Sequence, residues 1–310
     1  HRSADTLWFR NASRSPFCHV VRKANKARFA GLAFRVATRQ ELEALSDLPG
    51  ASAIEPIEAP GGGERVQLID PAGFVVDAVH GQVEVEPLPH REPLCVNTPD
   101  THARVNDTQR PPVAAPETTK LGHVVLEVPQ FQDTCAWYSQ HFGLIPSDVQ
   151  VLPDGSPAVV FMRLDLGATP ADHHTLAIAP GFAPHFAHCA YEVVDADAVA
   201  MGERWMRERG WRHAWGIGRH ILGSQVFDYW NDPYGARHEH YSDGDVFTAD
   251  HPMGVHAVSR AAMSQWGTVM PKSFIRPELS ADNLKALARV FGPNSDVSPK
   301  TLFRLLKAKG

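Results

Sequence analysis

A chain of 310 residues is long enough for two domains, each with a substantial core. Its 43% hydrophobic and 21% charged content is that of an ordinary globular protein, and a net charge of -5 speaks against a nucleic-acid partner, which needs a basic face. No apolar run approaches the roughly 18 residues of a membrane span, so no membrane partner is expected. Cys18, Cys95, Cys135 and Cys189 form no CxxC pair and lack disulfide-framework spacing, and reduced thiols in a cytoplasm are the simplest reading.

Residues 1–82 read as a first domain. Strands are expected near Leu7 to Arg10 and Cys18 to Arg22, then over Phe29 to Val36. Too little chain precedes Phe29 to complete the module to which the first two strands would belong. Its opening strand and helix are expected to be missing, and the N-terminal module to be truncated. Residues 83–119 read as a linker, because Pro87, Pro89, Pro93, Pro99, Pro111, Pro112 and Pro116 remove backbone donors and fix φ.

Residues 120–245 read as two βαβββ modules. In the first, a strand over Leu121 to Val128 precedes a helix over Phe131 to Phe142, with strands near Val149, Val159 to Leu164 and His174 to Ala179. The second opens with a strand over Ala187 to Val194 and a helix over Ala196 to Arg209, with Asp195 as N-cap and Gly210 as stop. Strands follow near Trp211 to Trp215, Val226 to Trp230 and Arg237 to Tyr241, with Asp232-Pro233-Tyr234-Gly235 as the last turn. Residues 246–310 read as a helical tail, with helices over Ser280 to Phe291 and Ser298 to Lys309. Packing across the domain or a subunit contact is the simplest use for them. The fold class is therefore α+β, built from tandem βαβββ modules.

The first domain repeats the plan of the last module. Phe29-Ala30-Gly31-Leu32 aligns with Phe186-Ala187-His188-Cys189, and Asp70-Pro71-Ala72-Gly73 with Asp232-Pro233-Tyr234-Gly235. Seven residues after each aspartate stand Asp77 and Glu239. Gly31 offers no imidazole where the later copy has His188, so the first domain is expected to be structural.

The chemistry is expected in the second domain. His123 and His174 lie 51 residues apart, as do His188 and Glu239. Packing two such modules pseudo-symmetrically would bring the four together. His123, His188 and Glu239 form the two-histidine, one-carboxylate set of non-haem Fe(II) sites, which leaves adjacent coordination positions open. The competing reading is of unrelated polar residues on a half-buried sheet; the equal offsets argue against it. His174 is placed as an acid or base, because an imidazole titrates near neutrality. Its neighbour His173 is expected on the opposite face, as a surface or supporting group. His220 and Tyr229 are placed to hydrogen-bond a phenolic substrate, with core packing the alternative for Tyr229.

Taken together, Leu121-Gly122-His123, Asp172-His173-His174-Thr175-Leu176-Ala177, His185-Phe186-Ala187-His188, Gly218-Arg219-His220 and Phe227-Asp228-Tyr229 through Glu239 resemble the type I extradiol dioxygenases of the vicinal oxygen chelate superfamily. The resemblance spans roughly Phe29 to Asp245. It implies a metal centre of His123, His188 and Glu239 holding Fe(II), or occasionally Mn(II), and a homo-oligomer. It also implies ring opening of a catechol by O2 next to the diol, to a hydroxymuconic-semialdehyde-type product. His174 would handle the oxygen-side proton, while His220 and Tyr229 would bond the catecholic oxygens. Gly223 through Trp230 looks like the subgroup that cleaves substituted monocyclic catechols, as dihydroxy-p-cumate and trihydroxytoluene dioxygenases do. Phe186, Trp215 and Ile217 are candidate pocket residues, and equally candidate core. A glyoxalase- or epimerase-type enzyme would share the scaffold but usually want a fourth protein ligand. A non-enzymatic binding member would need no metal, and a degenerate dioxygenase would bind phenols without turnover.

Overall fold

The computed structural model describes residues 1–275 together with 300, 303 and 304. Strands β1 (Thr6–Phe9) and β2 (His19–Arg22) pair antiparallel. A small sheet follows, from β3 (Leu32–Arg35), helix α1 (Arg39–Ser46), β4 (Glu55–Pro56), β5 (Glu64–Ile69) and β6 (Val75–His80), in strand order β3-β6-β5-β4. Thr38 and Glu41 cap α1 reciprocally, each side chain accepting from the other's backbone N–H. Residues 81–117 form no regular element, as their proline density requires.

The first complete module is β7 (Thr118–Val128), α2 (Phe131–Phe142), β8 (Leu144–Val151), β9 (Pro157–Leu164), β10 (Ala171–Asp172) and β11 (Leu176–Pro180). The second is β12 (His185–Val193), α3 (Ala196–Glu208), β13 (Arg212–Arg219), β14 (Val226–Asn231) and β15 (Arg237–Ser242). Then come β16 (Val246–Phe247), β17 (Gly254–Ala257), β18 (Trp266–Gly267) and α4 (Lys272–Ile275). One ten-stranded sheet joins both modules in the order β17-β8-β9-β11-β7-β12-β15-β14-β13-β18. β7 and β12 meet antiparallel at its centre, and each has its own module's last strand parallel on its other side.

The small sheet has the strand order of the second module, and the register agrees residue by residue. Leu32 lies opposite Val76 and Ala33 opposite Asp77, as Cys189 lies opposite His238 and Ala190 opposite Glu239. Asp70 and Asp232 also close their turns alike, each Oδ1 accepting at 2.8 Å from the backbone N–H four residues on.

Helix α2 carries Phe131, Thr134, Cys135, Tyr138 and Phe142 on one face at helical spacing and ends on Gly143 at φ +65°. That face meets the small sheet, with Phe34 4.8 Å from Phe142 between ring centroids and Tyr138 fully buried, its hydroxyl donating to Asp70. One core cluster runs from Phe34, Leu42 and Val66 to Leu126, Tyr138 and Ile178. Full burial of one such side chain contributes about 1.5–3 kcal/mol, so this contact couples the small sheet firmly to the first module.

The stretch after residue 245 departs from the expected helical tail. β17 pairs parallel with β8, and β18 pairs antiparallel with β13, so the two close both edges of the large sheet. An open edge leaves a row of N–H and C=O groups unpaired, and short edge strands satisfy them. The helices expected over Ser280 to Phe291 and Ser298 to Lys309 lie outside the described residues, apart from Lys300, Phe303 and Arg304.

Candidate metal centre

Five adjacent strands each place one residue in a single row across the sheet. His123 on β7 lies opposite Ala190 on β12, and Ala190 lies opposite Glu239 on β15. Glu239 lies opposite Tyr229 on β14, and Tyr229 opposite Trp215 on β13. Residues directly opposite one another project from the same face. His188 is two residues before Ala190 and shares that face. Register shifts flank it, between Phe186 and His188 and between Ala190 and Tyr191. Such bulges re-aim a strand's side chains, which suits a site built at a sheet's centre.

Ala190 is the small residue between the ligand candidates, and its methyl leaves room above it for their side chains to meet. His123 Nε2 lies 3.1 Å and His188 Nε2 3.3 Å from the same oxygen, Glu239 Oε2. The candidate ligand atoms of all three residues lie within 4.8 Å of one another, and among the described residues this is the only such group. Glu239 is fully buried and its Oε1 has no hydrogen-bond partner; nor has His123 Nδ1.

The electrostatics favour a cation. Burial pushes the His188 pKa down to about 4, against the pull of Glu239, so its imidazole is neutral at pH 7. Burial alone would raise the Glu239 pKa, but hydrogen bonds from His123 and His188 hold it well below the ordinary carboxylate range. A buried carboxylate is costly without a compensating cation. Two imidazole nitrogens and a carboxylate are a donor set that a divalent first-row metal accepts, so the residues fit such an ion.

Around this group the remaining candidates divide. The His174 ring lies 4.1 Å from that of His123, centroid to centroid, and burial together with His123 puts its pKa well below the ordinary value. His220 Nδ1 donates to the Met263 carbonyl at 2.8 Å, which leaves Nε2 to accept from the Tyr229 hydroxyl at 2.9 Å. That Nε2 is also 3.7 Å from Glu239 Oε1. Burial first, then Glu239, raises the Tyr229 pKa well above its usual value, so it stays a hydroxyl. Trp215 stacks on Tyr229 with rings 5.5 Å apart and 3° from parallel, and its indole N–H donates to the Thr268 carbonyl.

Two of the candidate pocket residues take the core alternative. Phe186 stacks on Phe29 at 4.5 Å and joins the core shared with the small sheet. Ile217 packs with Val193, Ala198 and Val199 beneath α3, because a register shift between Gly216 and Gly218 breaks simple alternation along β13. The equal 51-residue offsets do not mark equivalent positions in the two modules. Val125 lies opposite Ala177 as Ala190 lies opposite Glu239, so Ala177 is the true counterpart of the glutamate. His174 reaches the site from the irregular segment before β11.

Sequence reasoning left one contributor open between a surface and a supporting role and missed two others. His173 is fully buried rather than on an outer face, since alternation does not apply outside a strand, and its Nδ1 lies 2.9 Å from His174 Nδ1. Tyr241 lies 5.4 Å from His123 between ring centroids, and its buried hydroxyl has no partner. A Cβ on Gly122 would stand 2.0 Å from that hydroxyl, which accounts for the glycine before His123. Ala190 was legible only through the strand register.

Residues 120–239 match the Glyoxalase/Bleomycin resistance protein/Dioxygenase superfamily. Metapyrocatechase 2 of Cupriavidus necator is 33% identical over 159 residues, which cover 51% of this chain and 47% of that protein. The alignment thus spans about half the length of the curated relative. The Mn(II)-bound glyoxalase of Novosphingobium aromaticivorans superposes with a TM-score of 0.73 at 24% identity, covering 91% of this chain and 86% of the other. Homoprotocatechuate 2,3-dioxygenase of Arthrobacter globiformis gives 0.72 at 22% identity, covering 91% and 84%. Likeness at that identity speaks for the fold, and it extends the agreement beyond the matched segment. Residues 120–239, which carry all three candidate ligands, are thus similar to the Glyoxalase/Bleomycin resistance protein/Dioxygenase superfamily.

Proposed function

We propose that this protein is an extradiol dioxygenase that opens a substituted monocyclic catechol next to its diol, inserting both atoms of O2. Fe(II), or alternatively Mn(II), would be held by His123, His188 and Glu239. The observation that carries this reading is the ligand group itself, three residues with His174 outside it. Three protein ligands leave room for both catechol oxygens and O2, whereas a glyoxalase-type site would usually want a fourth.

When bound, the ion supplies Lewis acidity that favours the ionised catechol and a redox centre at which O2 can react. Tyr229 and His220 would work as a pair at the substrate's hydroxyl. The Tyr229 O–H is a donor locked onto His220 Nε2, so a proton released beside them has a ready path into the pair. His174, a neutral imidazole, would move a proton on the other side of the site. Trp215 backs Tyr229 and gives this flank an apolar wall. Burial of His123, Glu239, His174 and Tyr229 keeps most water out and strengthens each of these interactions. The same reading carries a cytoplasmic location, in keeping with four free cysteines, and a homo-oligomeric assembly.

Anaerobic loading with Fe(II), followed by 3-substituted catechols and air, tests the proposal. A yellow ring-fission product with matching O2 uptake is the expected result. One bound iron per chain with neither signal would sink it and favour the glyoxalase-type reading.

A further inference from the structure

Behind His174 runs a chain of polar contacts that the ligand group does not use. His173 Nδ1 is 2.9 Å from His174 Nδ1, and His173 Nε2 is 2.7 Å from Asp148 Oδ2. The other oxygen of Asp148 is 2.8 Å from His256 Nε2, on edge strand β17. His173 is buried between the rings of Phe161 and Phe247, while His256 is half exposed. Two glycines make room for the chain. A Cβ on Gly254 would stand 2.1 Å from Asp148 Oδ1, and one on Gly223 3.1 Å from His173 Nδ1.

With His173 neutral, donor and acceptor parity assigns the protons. A carboxylate only accepts, so His173 Nε2 and His256 Nε2 must both donate to Asp148. Burial works against that carboxylate's charge, but the hydrogen bonds from His173 and His256 outweigh it and hold its pKa below the ordinary value. A neutral His173 then has a lone pair at Nδ1. His174 must donate to it from Nδ1, which leaves His174 Nε2 unprotonated.

We propose that Asp148 and His173 are positioning residues that hold His174 in its Nδ1–H tautomer and present an unprotonated Nε2 to the site. The use of that nitrogen as a base rests on the dioxygenase reading; the tautomer does not. His256 anchors the far end of Asp148 from the solvent side, and α2 and α3 take no part.

The test is nitrogen-detected NMR of the histidines in the metal-free protein, which reads the tautomer without turnover. Wild type should show His174 protonated at Nδ1 and bare at Nε2. In Asp148→Asn the amide nitrogen can donate to His173 Nε2 while its oxygen still accepts from His256. His173 would then donate from Nδ1, and His174 should invert to the Nε2–H form. In the metal-loaded enzyme, kcat should fall about 10²-fold or more with KM and metal content unchanged. Gly254→Ala, which displaces Asp148 Oδ1 without a positive-φ demand, should weaken the wild-type tautomer preference. Nε2 protonated in wild type, as a doubly protonated His173 would require, overturns the proposal, and so does an unaltered tautomer preference in both Asp148→Asn and Gly254→Ala. Inversion with unchanged turnover upholds the tautomer assignment and counts against the base role of His174.

Discussion

His123 Nε2 stands 3.1 Å from Glu239 Oε2 across a strand to which neither belongs. With neutral His188 beside them, the carboxylate is the only formal negative charge in the ligand group. Glu239→Gln keeps shape and volume but removes the charge that a divalent ion would neutralise. Mn(II), stable in air, is a convenient probe. At a hundredfold excess over Kd, binding to the wild type should add about 2.7 kcal/mol to folding stability. The Gln variant should show no Mn(II)-dependent rise in melting temperature, and an equal rise would exclude Glu239 as a ligand.

The strand between the partners makes a second prediction. Ala190 is fully buried and lies opposite both His123 and Glu239. Ala190→Leu fills the space in which the three side chains meet. Overpacking of this kind costs about 1–3 kcal/mol, and here the strain would fall on the ligand geometry. Calorimetric titration with Mn(II) should show affinity lost far beyond that of an Ala190→Ser control, which adds one small atom. Equal affinities in the two variants would mean that the row across the sheet does not set the site.

Tyr229 offers a way to separate binding from proton handling. Tyr229→Phe keeps the stack on Trp215 and deletes the hydroxyl that donates to His220 Nε2. Metal affinity should be unchanged, while kcat/KM for a catechol should fall about 10²-fold. Steady-state kinetics beside a metal titration would check both halves. A loss of metal with the hydroxyl would instead assign Tyr229 to the ion.

How far such a site can be read from sequence is visible in individual residues. His123, His188 and Glu239 could be picked out as a candidate group because each lies within a strand and the Asp-Pro-x-Gly turn fixes the distance to Glu239, although register shifts flank His188. The N-terminal copy was legible for the same reason, and the register of Leu32 with Val76 repeats that of Cys189 with His238. Irregular backbone is where the reading failed. His173 precedes β11 rather than lying in it, so alternation could not decide between its surface and supporting readings. Ile217 follows a register shift and ends beneath α3. Asp148 and His256 come from strands paired across more than 100 positions of chain, and no local pattern joins them to His174.

The start of α3 makes a prediction about acid stability. Asp195 caps the helix, its Oδ1 accepting from Ala198 N at 2.8 Å, and both its oxygens also receive the Arg91 guanidinium at 2.5 and 2.7 Å. Leu94 N donates to it as well, so one carboxylate ties the irregular segment 81–117 to the second module. Burial opposes its charge, but Arg91 and the two backbone donors prevail and lower its pKa from 3.8. The unfolded chain therefore takes up this proton first as pH falls, so the stabilisation is full well above 3.8 and is lost on descending through the lower folded value. Asp195→Asn keeps a capping oxygen and removes only the charge. Denaturant unfolding should show the variant about 1 kcal/mol less stable at pH 7, with the gap closing as pH falls below about 4. A gap that persisted unchanged through and below that range would show that Arg91 gains nothing from the carboxylate's charge, leaving Asp195 a helix cap alone.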